Sequence, residues 1–291
     1  MYFAMTVDDV ALRDWSKPKN FQHLIEFFVQ EGLSATFFVV PIDEETGKPF
    51  YTLSNDYIPL IRDGMAAGLN FEQHGLRHNR FELGIPPAMV LDLPHEVENK
   101  RYAKENKAFL EQEHSVANCR KRLAQGKRVL EDAFEAYITG FRAPALQESP
   151  GMFTALKEEG YCFDSSKVLQ ETGWDYILDK MDVPPRKITR ARWQGLREQS
   201  HGLMFPLTCD YTWYLTPAKY AKAMELAKLD FRSCMSENIP FVTVCHVDPV
   251  HGGEGIRFLS ELYRFAKDEC AVKGEKLDFV NLKQLASAWK D

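Results

Sequence analysis

The hydrophobic pattern of this chain alternates between two periods. Residues 1–7 are almost all apolar and lead straight into two adjacent carboxylates, Asp8 and Asp9. A continuous apolar run of that length fits a strand buried on both faces of a parallel sheet. Similar short runs return at 34–40, 137–142, 161–163, 202–207 and 240–245, with a less apolar one at 69–73 and a last one at 277–280. Between them the spacing becomes helical. Residues 20–31 place Phe21, Leu24, Ile25 and Phe28 on one face, and Gly32 follows as a helix stop. Further helices are predicted over 55–67, 150–159, 216–238, 253–271 and 281–289. Pro217 stands at a favoured first-turn position.

Strands alternating with helices predict one parallel α/β domain over residues 1–291, a distorted (β/α) barrel of about seven strands. Residues 91–128 exceed what a crossover needs and are rich in Lys, Arg and Glu. They read as a helical insertion. It is either a solvated helix or hairpin, or a lid or a contact between copies of the chain.

Composition bounds the partners more than the fold. The net charge of -6 argues against nucleic acid or an anionic membrane surface. The six cysteines stand singly with no C-x-x-C pair, which predicts reduced thiols and a cytoplasmic protein. No apolar run approaches the length of a membrane span.

Four strand ends carry residues with chemistry to offer. Asp8 and Asp9 point in different directions on an extended chain, so one can bind a metal while the other faces a substrate. Two acids at the mouth of a buried strand are costly unless a cation or hydrogen bonds compensate, and the plain alternative is a solvated turn. The 69–73 run leads into His74 and His78, which share one face if the turn between them is helical. One Asp with two His leaves coordination positions open on zinc or a similar ion, as hydrolytic sites require. Arg142 ends the fourth strand, where it can hold a carboxylate ionised. His246 ends the seventh and is a candidate general acid. Parallel barrels bring such ends together on one face.

The order of these motifs resembles the polysaccharide deacetylase family (NodB homology), from Thr6 to the last helix. Thr6-Val7-Asp8-Asp9 is similar to the family's Thr-Phe-Asp-Asp. The resemblance implies Asp8 as catalytic base, Asp9, His74 and His78 as metal ligands, and Arg142 as the residue orienting the base. It implies His246 as general acid, with Asp164 as the acid supporting it. The chain departs from the pattern in four places. Val10-Ala11 replaces Gly-Pro, and Gly75 stands where Ser or Thr usually braces the loop. Ala145 replaces an aromatic, and Val244 replaces a leucine. No ligand or proton-transfer residue is missing.

The expectation is therefore a metal-dependent hydrolase that removes an N-acyl group, N-acetyl first, from an amino sugar or saccharide intermediate. Two nitrogens and a carboxylate suit zinc first, with iron, cobalt, nickel and manganese also fitting. Trp174, Tyr176, Tyr211, Trp213 and Tyr214 are candidate sugar-facing rings or packing residues. Two alternatives stay open. One is hydrolysis of another non-peptide C–N bond, as by a deformylase or a ureide amidohydrolase. The other is a non-catalytic sugar-binding barrel.

Overall fold

The structure is a computed structural model and describes residues 1–289. In chain order the first elements are β1 (Tyr2–Val10), α1 (Pro18–Gln30), β2 (Ala35–Val39), α2 (Tyr57–Ala66) and β3 (Asn70–His74). Four helices follow, α3 (Ala88–Leu91), α4 (Val97–Glu105), α5 (Lys107–Glu113) and α6 (Val116–Phe134). Then come β4 (Gly140–Arg142), α7 (Pro150–Glu158), β5 (Phe163–Asp164), α8 (Thr172–Ile177) and α9 (Arg190–Gln199). The chain continues through β6 (Cys209–Asp210), α10 (Pro217–Ser236), β7 (Phe241–His246), α11 (Gly255–Lys273), β8 (Asp278–Phe279) and α12 (Leu282–Ala288).

Every strand pairing is parallel, in the order β5-β4-β3-β2-β1-β7-β6, with β8 beside the start of β1. β1 is the central strand, and its residues from Phe3 onward are buried. Its apolar run needs cover on both faces. On one face Phe3 packs against Phe231 of α10 with ring centroids 6.0 Å apart, and on the other Thr6 and Asp8 meet the buried Arg142. The sheet curls until its edges meet. Residues 203–207 bond to the β5 edge, with Phe205 N donating to Asp164 O at 2.7 Å and Leu169 N to Leu207 O at 2.8 Å. Thr208 N then donates to Val242 O at 2.6 Å, and β6 pairs with β7. The outcome is the distorted barrel that the alternation predicts.

Three elements differ in detail from the sequence reading. β1 does not stop at residue 7. It runs to Val10 through a break in its register with β2, and Asp9 takes a left-handed φ of 65° there. A bulge of this kind re-aims a side chain at a strand end. The regular part of the sixth strand is Cys209–Asp210, because residues 203–207 are drawn across to β5 and make only isolated bridges. The segment 91–128 is largely helical but divides in two. Cys119, Leu123, Leu130 and Phe134 of α6 lie in the main core, so α6 is the crossover helix between β3 and β4. α4 and α5 stand apart, with Ala103 and Leu110 in a small cluster with Leu91, Phe81 and Ile85, while Val90 of α3 still lies in the main core. Leu123→Ala should accordingly cost about 2–5 kcal/mol in urea unfolding, as core truncations do. A loss under about 0.5 kcal/mol would put α6 on the surface.

Candidate active site

The register of the sheet sets the site. Asp8 lies opposite His246 across β1 and β7, and His74 lies opposite Arg142 across β3 and β4. Arg142 is fully buried, and each of its three side-chain nitrogens donates. Nη1 donates to Asp8 Oδ1 at 2.6 Å and to Thr6 Oγ1 at 2.7 Å. Nη2 donates to Ser165 Oγ at 2.8 Å and Nε to the Ser165 carbonyl at 3.0 Å. The guanidinium also packs 4.2 Å from the Phe38 ring centroid. Asp8 is thereby fixed by a group that cannot swing away. Ser165 was not legible as part of this arrangement, since nothing in its own sequence context marks it.

Asp9 faces the other way. Its Oδ1 lies 3.3 Å from His74 Nε2 and 3.2 Å from His78 Nε2, and among the described residues no well-aligned hydrogen bond reaches that oxygen. His74 Nδ1 lies 3.0 Å from the Arg142 carbonyl, which commits that nitrogen as the donor and turns Nε2 towards Asp9. The ligand atoms of Asp9, His74 and His78 all lie within 4.8 Å of one another. Burial opposes the charge on Asp9, but the charges of His78 and His246 and the two close imidazoles hold its carboxyl well below the usual range. Burial likewise opposes a proton on His74, yet Asp8 and Asp9 outweigh it and raise its pKa. A pocket that favours positive charge this strongly, around a buried oxygen without a partner, fits a divalent cation.

The segment joining the two histidines is not a helical turn. Gly75 and His78 both have left-handed φ, 58° and 65°, and the chain between them is bent. The histidines meet through this loop and not through i, i+4 geometry on a helix.

His246 has a different partner from the one expected. Its Nδ1 lies 3.1 Å from Asp210 Oδ2. The other oxygen of Asp210 accepts from Thr212 N at 2.8 Å, Thr212 Oγ1 at 3.0 Å and Trp213 N at 3.1 Å. Asp164, the acid implied for this place, is instead bonded to Ser166 Oγ in the wall behind Arg142. Burial pushes the Asp164 carboxyl up to about 7. The signal for Asp210 was present, because it is an acid ending the sixth strand just as Asp9 ends the first. Burial works against the charge on His246, but Asp210, Asp9 and Asp8 together push its pKa up to about 9.

These groups line one cavity of about 730 Å³, which Asp8, Asp9, His74, His78, Asp210 and His246 all reach. Of the five aromatic candidates, Tyr176 and Tyr211 are buried packing residues. Trp174 is buried but borders the cavity, and neither its indole N–H nor that of Trp213 has a partner among the described residues. The Trp213 ring lies 4.9 Å from the His246 ring and stacks on exposed Tyr214 at 5.6 Å.

Comparison with known proteins identifies the fold and the family. No curated protein matches the chain. Among solved structures, a candidate polysaccharide deacetylase from Mycobacterium smegmatis superposes with a TM-score of 0.57 at 16% identity, covering 98% of this chain and 88% of that one. A family 4 acetyl xylan esterase from Clostridium thermocellum, solved with cobalt, gives 0.51 at 12% identity over 99% and 91%. A family 4 pseudoenzyme from Bacillus anthracis gives 0.50 at 10% identity over 98% and 65%. At these identities the likeness is one of fold. The sequence match is more specific. The family model described as polysaccharide deacetylase matches residues 2–163, more than half of the chain and the part that carries Asp8, Asp9, His74, His78 and Arg142. The chain belongs to the polysaccharide deacetylase family.

Proposed function

We propose that this protein is a divalent-metal-dependent hydrolase that removes an N-acyl group, N-acetyl first, from an amino sugar in a saccharide. One observation carries the reading. A cation-shaped cluster (Asp9, His74, His78) shares a cavity with a fixed carboxylate (Asp8) and a protonated imidazole (His246). Metal-assisted hydrolysis of an amide uses all three functions, and a sugar-binding module needs none of them.

When bound, a divalent cation supplies Lewis acidity for an acyl carbonyl and acidifies a water beside it. Asp9 and the Nε2 atoms of His74 and His78 would hold it. Asp8, oriented by Arg142, accepts the proton that the attacking water gives up as its oxygen adds to the acyl carbon. His246 carries its proton at neutral pH, since its pKa is raised to about 9. With Nδ1 facing Asp210, it gives that proton from Nε2 to the amine nitrogen as the C–N bond breaks. Trp213, beside His246 at the cavity wall, offers a flat face to the sugar.

The test combines metal analysis of the purified protein with acetate release from N-acetylhexosamines, their oligomers and O-acetylated xylan. Bound zinc or a similar ion and release from the N-acetyl substrates are expected. Release from the ester alone would overturn the N-acyl assignment. A metal-free protein that binds saccharide without turnover would overturn the hydrolase.

A further inference from the structure

His78 reaches Asp9 from a loop that is neither helix nor strand, at a backbone conformation uncommon for a residue with a side chain. Something must hold that loop. Glu82 is a buried carboxylate placed to do so. Its Oε1 accepts from Leu76 N at 2.7 Å and its Oε2 from Arg77 N at 2.9 Å, the two amides just before His78. After His78, Gln147 completes the frame. It is fully buried, donates to the Asn79 carbonyl at 2.6 Å and accepts from Leu83 N at 3.0 Å. Gly75 belongs to the same device. A Cβ there would lie 2.1 Å from Glu82 Oε1 and 2.4 Å from Pro144 Cγ, so a side chain at 75 and the carboxylate of Glu82 exclude one another. The serine or threonine that could brace this loop from position 75 is thus replaced by a brace from position 82.

We infer that Glu82 is a positioning residue that sets His78 for metal binding before any metal arrives, and that Gly75 is glycine to admit its carboxylate. The inference rests on the metal site proposed above. A ligand held in place by buried hydrogen bonds binds more tightly than one that must be ordered on binding, and loss of such support typically costs about 10- to 100-fold in metal affinity.

The experiment measures zinc affinity by competition with a chelator in wild type, Glu82→Gln and Arg122→Ala. Arg122 donates to the Glu82 carbonyl at 2.6 Å and to Glu113, but leaves the carboxylate alone. It therefore reports on loop stability without the brace. Glu82→Gln keeps the shape but turns an N–H towards one of the two amides. Its zinc affinity should fall about 10- to 100-fold, while Arg122→Ala lowers the melting temperature and stays within about threefold of wild-type affinity. Equal affinity in Glu82→Gln and wild type overturns the inference, as does an equal loss in both variants. Hydrogen exchange on metal-free wild type tests the same point without a variant. The Leu76 and Arg77 amides should already be protected. Protection that comes only with zinc means the metal orders the loop, and the inference falls. Failure of wild type to bind zinc would instead sink the metal reading itself.

Discussion

Asp8→Asn should keep its metal and lose turnover by about a hundredfold or more, the usual scale of losing a general base. Asp9→Asn should do the opposite, with metal affinity falling first and added metal restoring part of the rate. The two residues are neighbours in the chain, and the prediction rests on the bulge that separates them. Asp8 stays in register with β7 and meets Arg142. Asp9, at a φ of 65°, turns to the two imidazoles. An asparagine at 8 still offers an oxygen to Arg142, so the buried guanidinium keeps an acceptor and the fold should survive. It has no carboxylate to take a proton from water. An asparagine at 9 loses the negative charge that the cluster relies on. Metal content by mass spectrometry beside acetate release separates the cases. Metal lost from Asp8→Asn and kept by Asp9→Asn would swap the roles. Full activity in both would move the chemistry elsewhere.

The parts of this site that were legible share one property. Asp8, Asp9, His74, Arg142 and His246 end apolar runs, and a parallel barrel gathers strand ends whatever the connections do. His78 was legible as a partner of His74 from its spacing, but the reason was not. Helical geometry would have explained it, whereas a bent loop held by Glu82 and Gln147 does. Those two lie 4 and 69 positions from His78, in stretches without periodicity, and only the folded loop shows which amides they accept from or support. Glu72 shows the same limit in the fold. It makes the third strand look less apolar than its neighbours, yet it is fully buried. Its carboxylate accepts from Thr139 N and Gly140 N at 2.8 and 2.7 Å, fastening β3 to the start of β4. Burial of a polar side chain by distant backbone donors leaves no local pattern. The share of residues 91–128 that α6 carries into the core escapes the sequence reading for a related reason. The charged residues of α6 lie on the solvent face, and their number hid the regular spacing of Cys119, Leu123, Leu130 and Phe134 on the inner one.

The acid supporting His246 gives the last expected result. Asp210→Asn should lower the rate by about a hundredfold and move the alkaline limb of the pH–rate profile to lower pH. In the folded protein Asp210, with Asp9 and Asp8, outweighs burial and raises the His246 pKa to about 9. A general acid works while protonated, so activity should hold below that pKa and fall as pH rises through it. A bound cation offsets part of the pull of Asp9, which sets about 9 as the upper bound for the wild-type limb. Removing the charge of Asp210 leaves burial opposing the imidazolium, and the limb should shift downward by at least one pH unit, a difference of about 1.4 kcal/mol between the two protonation states. The amide can also offer an N–H to Nδ1 and so favour the wrong tautomer, which depresses the rate even at low pH. Asp164→Asn, in the wall behind Arg142, is the control. It should leave the position of the limb unchanged, because Asp164 makes no contact with His246 among the described residues. A limb that moves with Asp164 and not with Asp210 would return the supporting role to the fifth strand.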